Sequence, residues 1–176
     1  MDIKERLSER INIFDVRELI LVLRGDDVKK CELFELMMAS EDVVAYQAAW
    51  VWTHFPPADL VWLEQKQNEL IDKLLSCRHS GMRRLILTLL NKQAFEVPPR
   101  VDFLDYCLQG MVSKAEPPAV QSLCMKIAYS LCRPIPELLQ EFRMTLDLME
   151  NESTPAIQSS KRNILKVMAR DAKSRK

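Results

Sequence analysis

Any chemistry in this chain has to come from a short inventory. Its 176 residues hold two histidines, five cysteines, three tryptophans and 25 side chains of each charge. A zinc site needs His, Cys or carboxylate ligands at turn or helix spacing. His54 and His79 stand apart, each beside a predicted helix boundary, with no HExxH and no CxxC to join them. They read as surface or capping residues. No Gly-rich phosphate loop and no GxSxG elbow occurs. Glu64, Glu69 and Asp72 share a predicted helix with Lys66 and Lys73, which is the charge lacing of an exposed face. Trp50, Trp52 and Trp62 lie close together, but a 3.6-residue turn sets Trp50 and Trp52 about 200° apart. They cannot form one flat aromatic platform, and at least one belongs to the core. No catalytic residue, metal ligand or cofactor is expected.

The totals bound the class. Net charge is zero, but residues 1–60 carry 7 basic and 12 acidic side chains (−5), whereas residues 161–176 carry 7 basic and 1 acidic (+6). An acidic front and a basic tail fit solvated ends. Three glycines fall below the usual share of roughly 7% and disfavour β-rich and doubly wound folds. The odd cysteine count, mostly on apolar faces, reads as buried thiols in a reducing compartment. The first residues are not a signal peptide, and charges interrupt every apolar run before about 18 residues. A cytoplasmic, non-membrane protein of one domain, residues 1–176, is the expectation.

The elements that would position any site are helices. A first helix is predicted over residues 2–12, and a second from Asp15 to Arg24, ending near Gly25. Asp26 or Asp27 caps a third to about Ser40, and Ser40, Glu41 and Asp42 open a fourth to His54. A long helix is predicted from Ala58 to Cys77, then Met82 to about Ala94, and Val101 to Val112. The stretch Pro117 to Arg133 carries an apolar stripe at Val120, Leu123, Cys124, Ile127 and Leu131 and is stopped by Pro134. That stripe argues for Cys124 as packing, not as a nucleophile. Pro136 to about Glu150 and Ala156 to about Ala169 complete the set, with a frayed basic tail over 170–176.

These helices repeat. Val44, Met82, Val120 and Ile157 align at separations of 38, 38 and 37, and the same offsets align Val51, Leu89, Ile127 and Ile164. Gln47, Leu85, Leu123 and Ser160 share a position, as do Ala48, Ile86, Cys124 and Lys161. In the preceding helices Leu36, Leu74, Val112 and Met149 keep the register. Two helix sets with one period near 38 are the mark of an α-solenoid.

Pro117-Pro118-Ala119-Val120-Gln121 and Thr154-Pro155-Ala156-Ile157-Gln158, with Asn163-Ile164-Leu165, resemble the second-helix pattern of the HEAT and armadillo-type repeat family. The resemblance covers roughly residues 27–169. It implies an all-α, right-handed α-α superhelix of about four helix pairs behind an N-terminal helical cap, residues 1–26. Only Arg83 matches the Arg that often follows the first aliphatic residue, and Lys161 replaces a core residue in the last unit, as suits a terminal cap.

The resemblance also implies a function. Second helices of the family line a concave binding face, which would present Tyr46, Arg83, Arg84, Asn91, Gln121, Met125, Tyr129, Arg162 and Lys166, with Ala49, Leu87 and Ser122 among them. Aromatics, Met and Arg anchor protein interfaces. A non-catalytic scaffold that binds a protein or peptide is the expectation. The alternative is a HEAT-like DNA-binding protein resembling glycosylases for alkylated bases, with Arg83, Arg84, Arg162 and Lys166 on phosphates and Tyr129 or Trp50 near the base. A neutral chain with an acidic N-terminal third disfavours nucleic acid.

Overall fold

The computed structural model describes residues 2–39, 42–149 and 154–174, and every regular element among them is helical. The expected opening of the fourth helix at Ser40 and Glu41, and the linker through residues 151–153, lie outside the described residues. In order, the helices are α1 (Ile3–Ser8), α2 (Ile13–Leu23), α3 (Asp27–Met38), α4 (Asp42–Thr53), α5 (Pro57–Leu60), a 3₁₀ segment (Val61–Lys66), α6 (Gln67–Ser76), α7 (Ser80–Leu90), α8 (Val101–Val112), α9 (Pro118–Cys132), α10 (Pro136–Leu148) and α11 (Pro155–Ser174). The chain divides into two compact units, Met1–Gln93 and Ala94–Lys176.

Several boundaries differ from the predicted ones, each for a local reason. Asn12, not Asp15, caps α2. Its side chain accepts from the Phe14 amide at 2.8 Å, while Asp15, three residues on, accepts from the Asn12 amide at 2.7 Å. That reciprocal pair is a capping box. The Asn12 amide, helped by Arg6, holds the Asp15 carboxyl below its ordinary range. The predicted long helix from Ala58 to Cys77 is interrupted by the 3₁₀ segment, whose tighter winding resets the register between α5 and α6. There Leu63 is buried, and the Trp62 ring stacks on Trp52 at 5.5 Å. The tail is not frayed over residues 170–174. α11 runs on through Ser174, because Ala169, Arg170, Ala172 and Lys173 are good helix formers with no glycine or proline to stop them.

In the first unit α4 is the central helix, packed against α1, α3 and α7. In the second, α9 has that place, against α8, α10 and α11. The repeat explains both. Val44, Met82, Val120 and Ile157 are all buried, and so are Val51, Leu89, Ile127 and Ile164. At the next position Ala48, Ile86 and Cys124 are fully buried, while Lys161 is half-buried and donates to the Met149 carbonyl at 3.3 Å. The first-helix register is weaker: Leu74 is buried, Leu36 and Met149 are half-buried, and Val112 is 45% exposed.

Two close contacts fix how neighbouring helices pack. Lys30, only 5% exposed, donates to Asp59 at 3.2 Å and so fastens α5 to α3. In the second unit α8 and α9 approach closely at Gly110. A Cβ there would lie 2.7 Å from Cys124 Sγ. Alanine in a helix is ordinarily favoured over glycine by about 1 kcal/mol. Gly110→Ala should instead destabilise the protein, by about 1–3 kcal/mol, the usual cost of overpacking a filled core. Combining it with Cys124→Ala removes the obstructing sulfur, so the double variant should be more stable than the sum of the two singles. Urea unfolding of the four proteins measures that coupling.

Candidate functional site

A mainly apolar cleft of about 660 Å³ opens in the first unit. That volume is in the range of ligand pockets, about 300–1,000 Å³. Its walls are the second helices of two consecutive repeats. α4 supplies Tyr46 and Trp50, and the start of α7 supplies His79 and Met82. Arg10 and Ile11, from the turn between α1 and α2, close one side, and Lys73 and Cys77 of the α6 end close another.

Each wall is fixed by an identifiable contact. His79 caps α7: its Nδ1 accepts the Met82 amide at 3.1 Å. The neutral ring therefore carries its proton on Nε2. The His79 and Tyr46 rings meet edge to face at 5.9 Å. Both pack over Gly81, where a Cβ would come within 3.0 Å of His79 Cε1 and 3.2 Å of Tyr46 Cε2. Trp50 is held edge to face on His54 at 5.6 Å, and His54 Nδ1 and Thr53 Oγ1 both bond the Trp50 carbonyl, at 2.9 and 2.7 Å. Lys73 donates to the carbonyls of Met38 and Ala39 at 3.3 and 3.0 Å, which caps the end of α3.

Gln47 brings the Arg10–Ile11 turn to the cleft. It is buried, and its Oε1 accepts the Ile11 amide at 2.9 Å while Nε2 donates to the Leu7 and Glu9 carbonyls at 2.6 and 2.7 Å. All its hydrogen-bonding capacity toward the N-terminal segment is engaged. Arg10, by contrast, is exposed and has no ion pair or hydrogen bond through its side chain among the described residues.

The sequence-predicted residues scatter around this site. Tyr46 lines the cleft. Arg83 is half-buried and Arg84 and Asn91 are exposed, and none of the three is among the residues lining it. In the second unit Gln121 lines a separate recess of about 670 Å³, with its Nε2 on the Ser113 carbonyl. Arg162 and Lys166 are exposed on α11. Met125, expected on the exposed face, is fully buried and belongs to the core; Ala49 and Leu87 are buried as well. Tyr129 is also corrected: it is 6% exposed, and its hydroxyl donates to Asp171 at 2.5 Å. A side chain so enclosed is not one to stack on an extruded base. Both Met125 and Tyr129 lie on α9, which is covered by α8, α10 and α11 and so keeps little free surface.

Arg10, His79 and Met82 line the cleft though the sequence assigned them no binding role, and Trp50, placed by the sequence only near a base in the DNA-binding alternative, lines it as well. Only Trp50 had a legible signal, as the tryptophan that cannot share a face with buried Trp52. Cys124 is core, as read, and burial raises the neighbouring thiols: Cys107 upward, and Cys132 to about 12. Neither is a thiolate nucleophile at neutral pH. No cluster of His, Cys, Asp and Glu among the described residues has the form of a metal site, and no described helix is long and apolar enough to cross a membrane.

Helix pairs recurring at one period, with the same stripe buried in each copy, define a tandem helical-repeat protein. The chain belongs to the HEAT repeat family: the family model for the HEAT repeat domain matches residues 3–168. No match was found among curated proteins or among solved structures.

Proposed function

We propose that this protein is a non-catalytic scaffold that binds a protein or peptide through the second-helix side of its repeats, with the Tyr46–Trp50–His79 cleft as a principal site. The observation that supports it is the cleft's makeup. Two half-buried aromatic rings, a buried methionine and an arginine converge between α4 and α7. Those are the residue types that anchor protein interfaces, in a family whose repeats commonly mediate protein interactions. The five free cysteines support a reducing compartment for it.

The test is selection of peptides from a randomised display library on the folded protein, with Tyr46→Ala/Trp50→Ala as control. Tyr46 and Trp50 are half-buried at the cleft edge, so the control should keep its helical circular dichroism. Selected peptides should bind it at least tenfold more weakly than the parent protein. No enrichment, or equal binding to both proteins, would overturn the reading.

A further inference from the structure

We infer that the cleft takes an acidic segment of a partner protein, a bulky apolar side chain flanked by carboxylates. This rests on the peptide-binding reading above and adds the chemistry of the ligand. The apolar half comes from the walls: Tyr46, Trp50, Met82 and Ile11 line a cleft of about 660 Å³, which has room for a leucine- or phenylalanine-sized side chain together with its flanking residues.

The acidic half comes from counting which polar groups remain unused. Gln47 and Lys73 are engaged by backbone groups. Four polar groups of the lining have no partner among the described residues: the Arg10 guanidinium, the Trp50 indole N–H, the His79 Nε2–H and the Tyr46 hydroxyl. Guanidinium and indole can only donate, and the capping bond of His79 fixes its other nitrogen as a donor. The Tyr46 hydroxyl alone can also accept. A ligand that satisfies this set must bring acceptors, and Arg10 makes a charged acceptor better than a neutral one. Among the described residues, no carboxylate lines the cleft to compete for it. A lysine- or arginine-rich segment would instead meet Arg10 and Lys73 with like charge and find few acceptors.

Gly81 is a positioning residue for this site. A side chain there would push His79 and Tyr46 apart, at a helix start where alanine is otherwise well tolerated. Gly81→Ala should therefore weaken binding at least fivefold while leaving the helical signal unchanged.

The experiment uses the full chain and fluorescein-labelled nonapeptides with a central phenylalanine flanked on each side by two glutamates. Matched peptides carry glutamines or lysines in those four places. By fluorescence anisotropy the glutamate peptide should bind at least tenfold more tightly than the glutamine one, and the lysine peptide should bind least. Arg10→Gln should bring the ratio of glutamate- to glutamine-peptide affinity close to one, and added salt should weaken the glutamate peptide selectively. Arg10 is exposed and has no side-chain partner among the described residues, so the variant should fold, as its helical circular dichroism will check. Equal affinity for glutamate and glutamine peptides would overturn the ligand class and leave peptide binding standing. Binding of indole-3-acetate or octanoate with no peptide binding would overturn the peptide as its source. If no nonapeptide binds but library selection on the cleft succeeds with neutral or basic sequences, the ligand class alone is wrong. If library selection is also empty, both readings fall.

Discussion

Replacing Trp52 with alanine should cost the first unit about 3–5 kcal/mol, the range for removing a fully buried aromatic side chain. Trp52 has no exposed surface and lies between two rings, Phe55 at 4.7 Å and Trp62 at 5.5 Å, both in stacked orientation. Those rings belong to the turn that follows α4 and to the 3₁₀ segment, so the void would open where the chain changes winding. Phenylalanine at the same place should behave quite differently. The Trp52 Nε1–H is buried and has no hydrogen-bond partner among the described residues. An unsatisfied buried donor costs about 1–3 kcal/mol. Trp52→Phe removes that donor together with part of the ring, so the two effects offset, and its cost should stay under about 1.5 kcal/mol. Chemical denaturation followed by far-ultraviolet circular dichroism separates the two variants. A Phe variant as unstable as the Ala variant would show that ring volume, not the orphaned donor, dominates this stack. Since Trp52 faces away from the cleft that Tyr46 and Trp50 line, Trp52→Phe should keep full peptide affinity.

The parts of this molecule that could be read from its sequence are those written locally. Burial at Val44, Met82, Val120 and Ile157 repeats because each copy buries the same face of its helix, and a helix records that face at fixed spacing. The period then says which helices pair. A binding face is a different quantity, because it is whatever surface the neighbours leave uncovered. On α4 the free wedge runs through Val43, Tyr46 and Trp50, whereas Ala49, one residue before Trp50, is sealed. On α9 three neighbours reduce the wedge until Met125 and Tyr129 fall inside it. A rotation of some tens of degrees separates anchor from core, and periodicity does not resolve it. Capping chemistry has the same limit. Asn12 and Asp15 both suit a helix start, and what decides between them is the local backbone geometry that lets them bond reciprocally. Arg10 was illegible for a stronger reason: nothing near it in sequence indicates a site, and it reaches the cleft through a glutamine 37 residues away.

That glutamine makes the second large prediction. Gln47→Leu keeps the side chain's length and bulk but strands the Ile11 amide and the Leu7 and Glu9 carbonyls. Solvent reaches some of these groups, so the expected loss is about 2–4 kcal/mol, not three full penalties of about 1–3 kcal/mol each. The repeat logic makes the change instructive, since Leu85 fills the same position one repeat later and is comfortably buried there. The same residue that suits α7 should therefore harm α4, because only α4 has the N-terminal cap to hold. Gln47→Glu adds a pH signature. A carboxylate can still accept from Ile11, but it faces two carbonyl oxygens, and burial favours its neutral form, so its folded-state pKa rises above the ordinary glutamate range. A carboxyl whose folded pKa is raised penalises stability above that pKa, and the penalty disappears as pH falls toward the unfolded value of about 4.3. Gln47→Glu should thus be less stable than Gln47→Leu at pH 8 and recover on acidification to pH 5, while Gln47→Leu shows no such recovery. The functional readout follows the same tether. If Gln47 positions Arg10, both variants should lose affinity for the glutamate-flanked peptide under conditions where circular dichroism shows them folded, and the glutamine-flanked peptide should be affected far less.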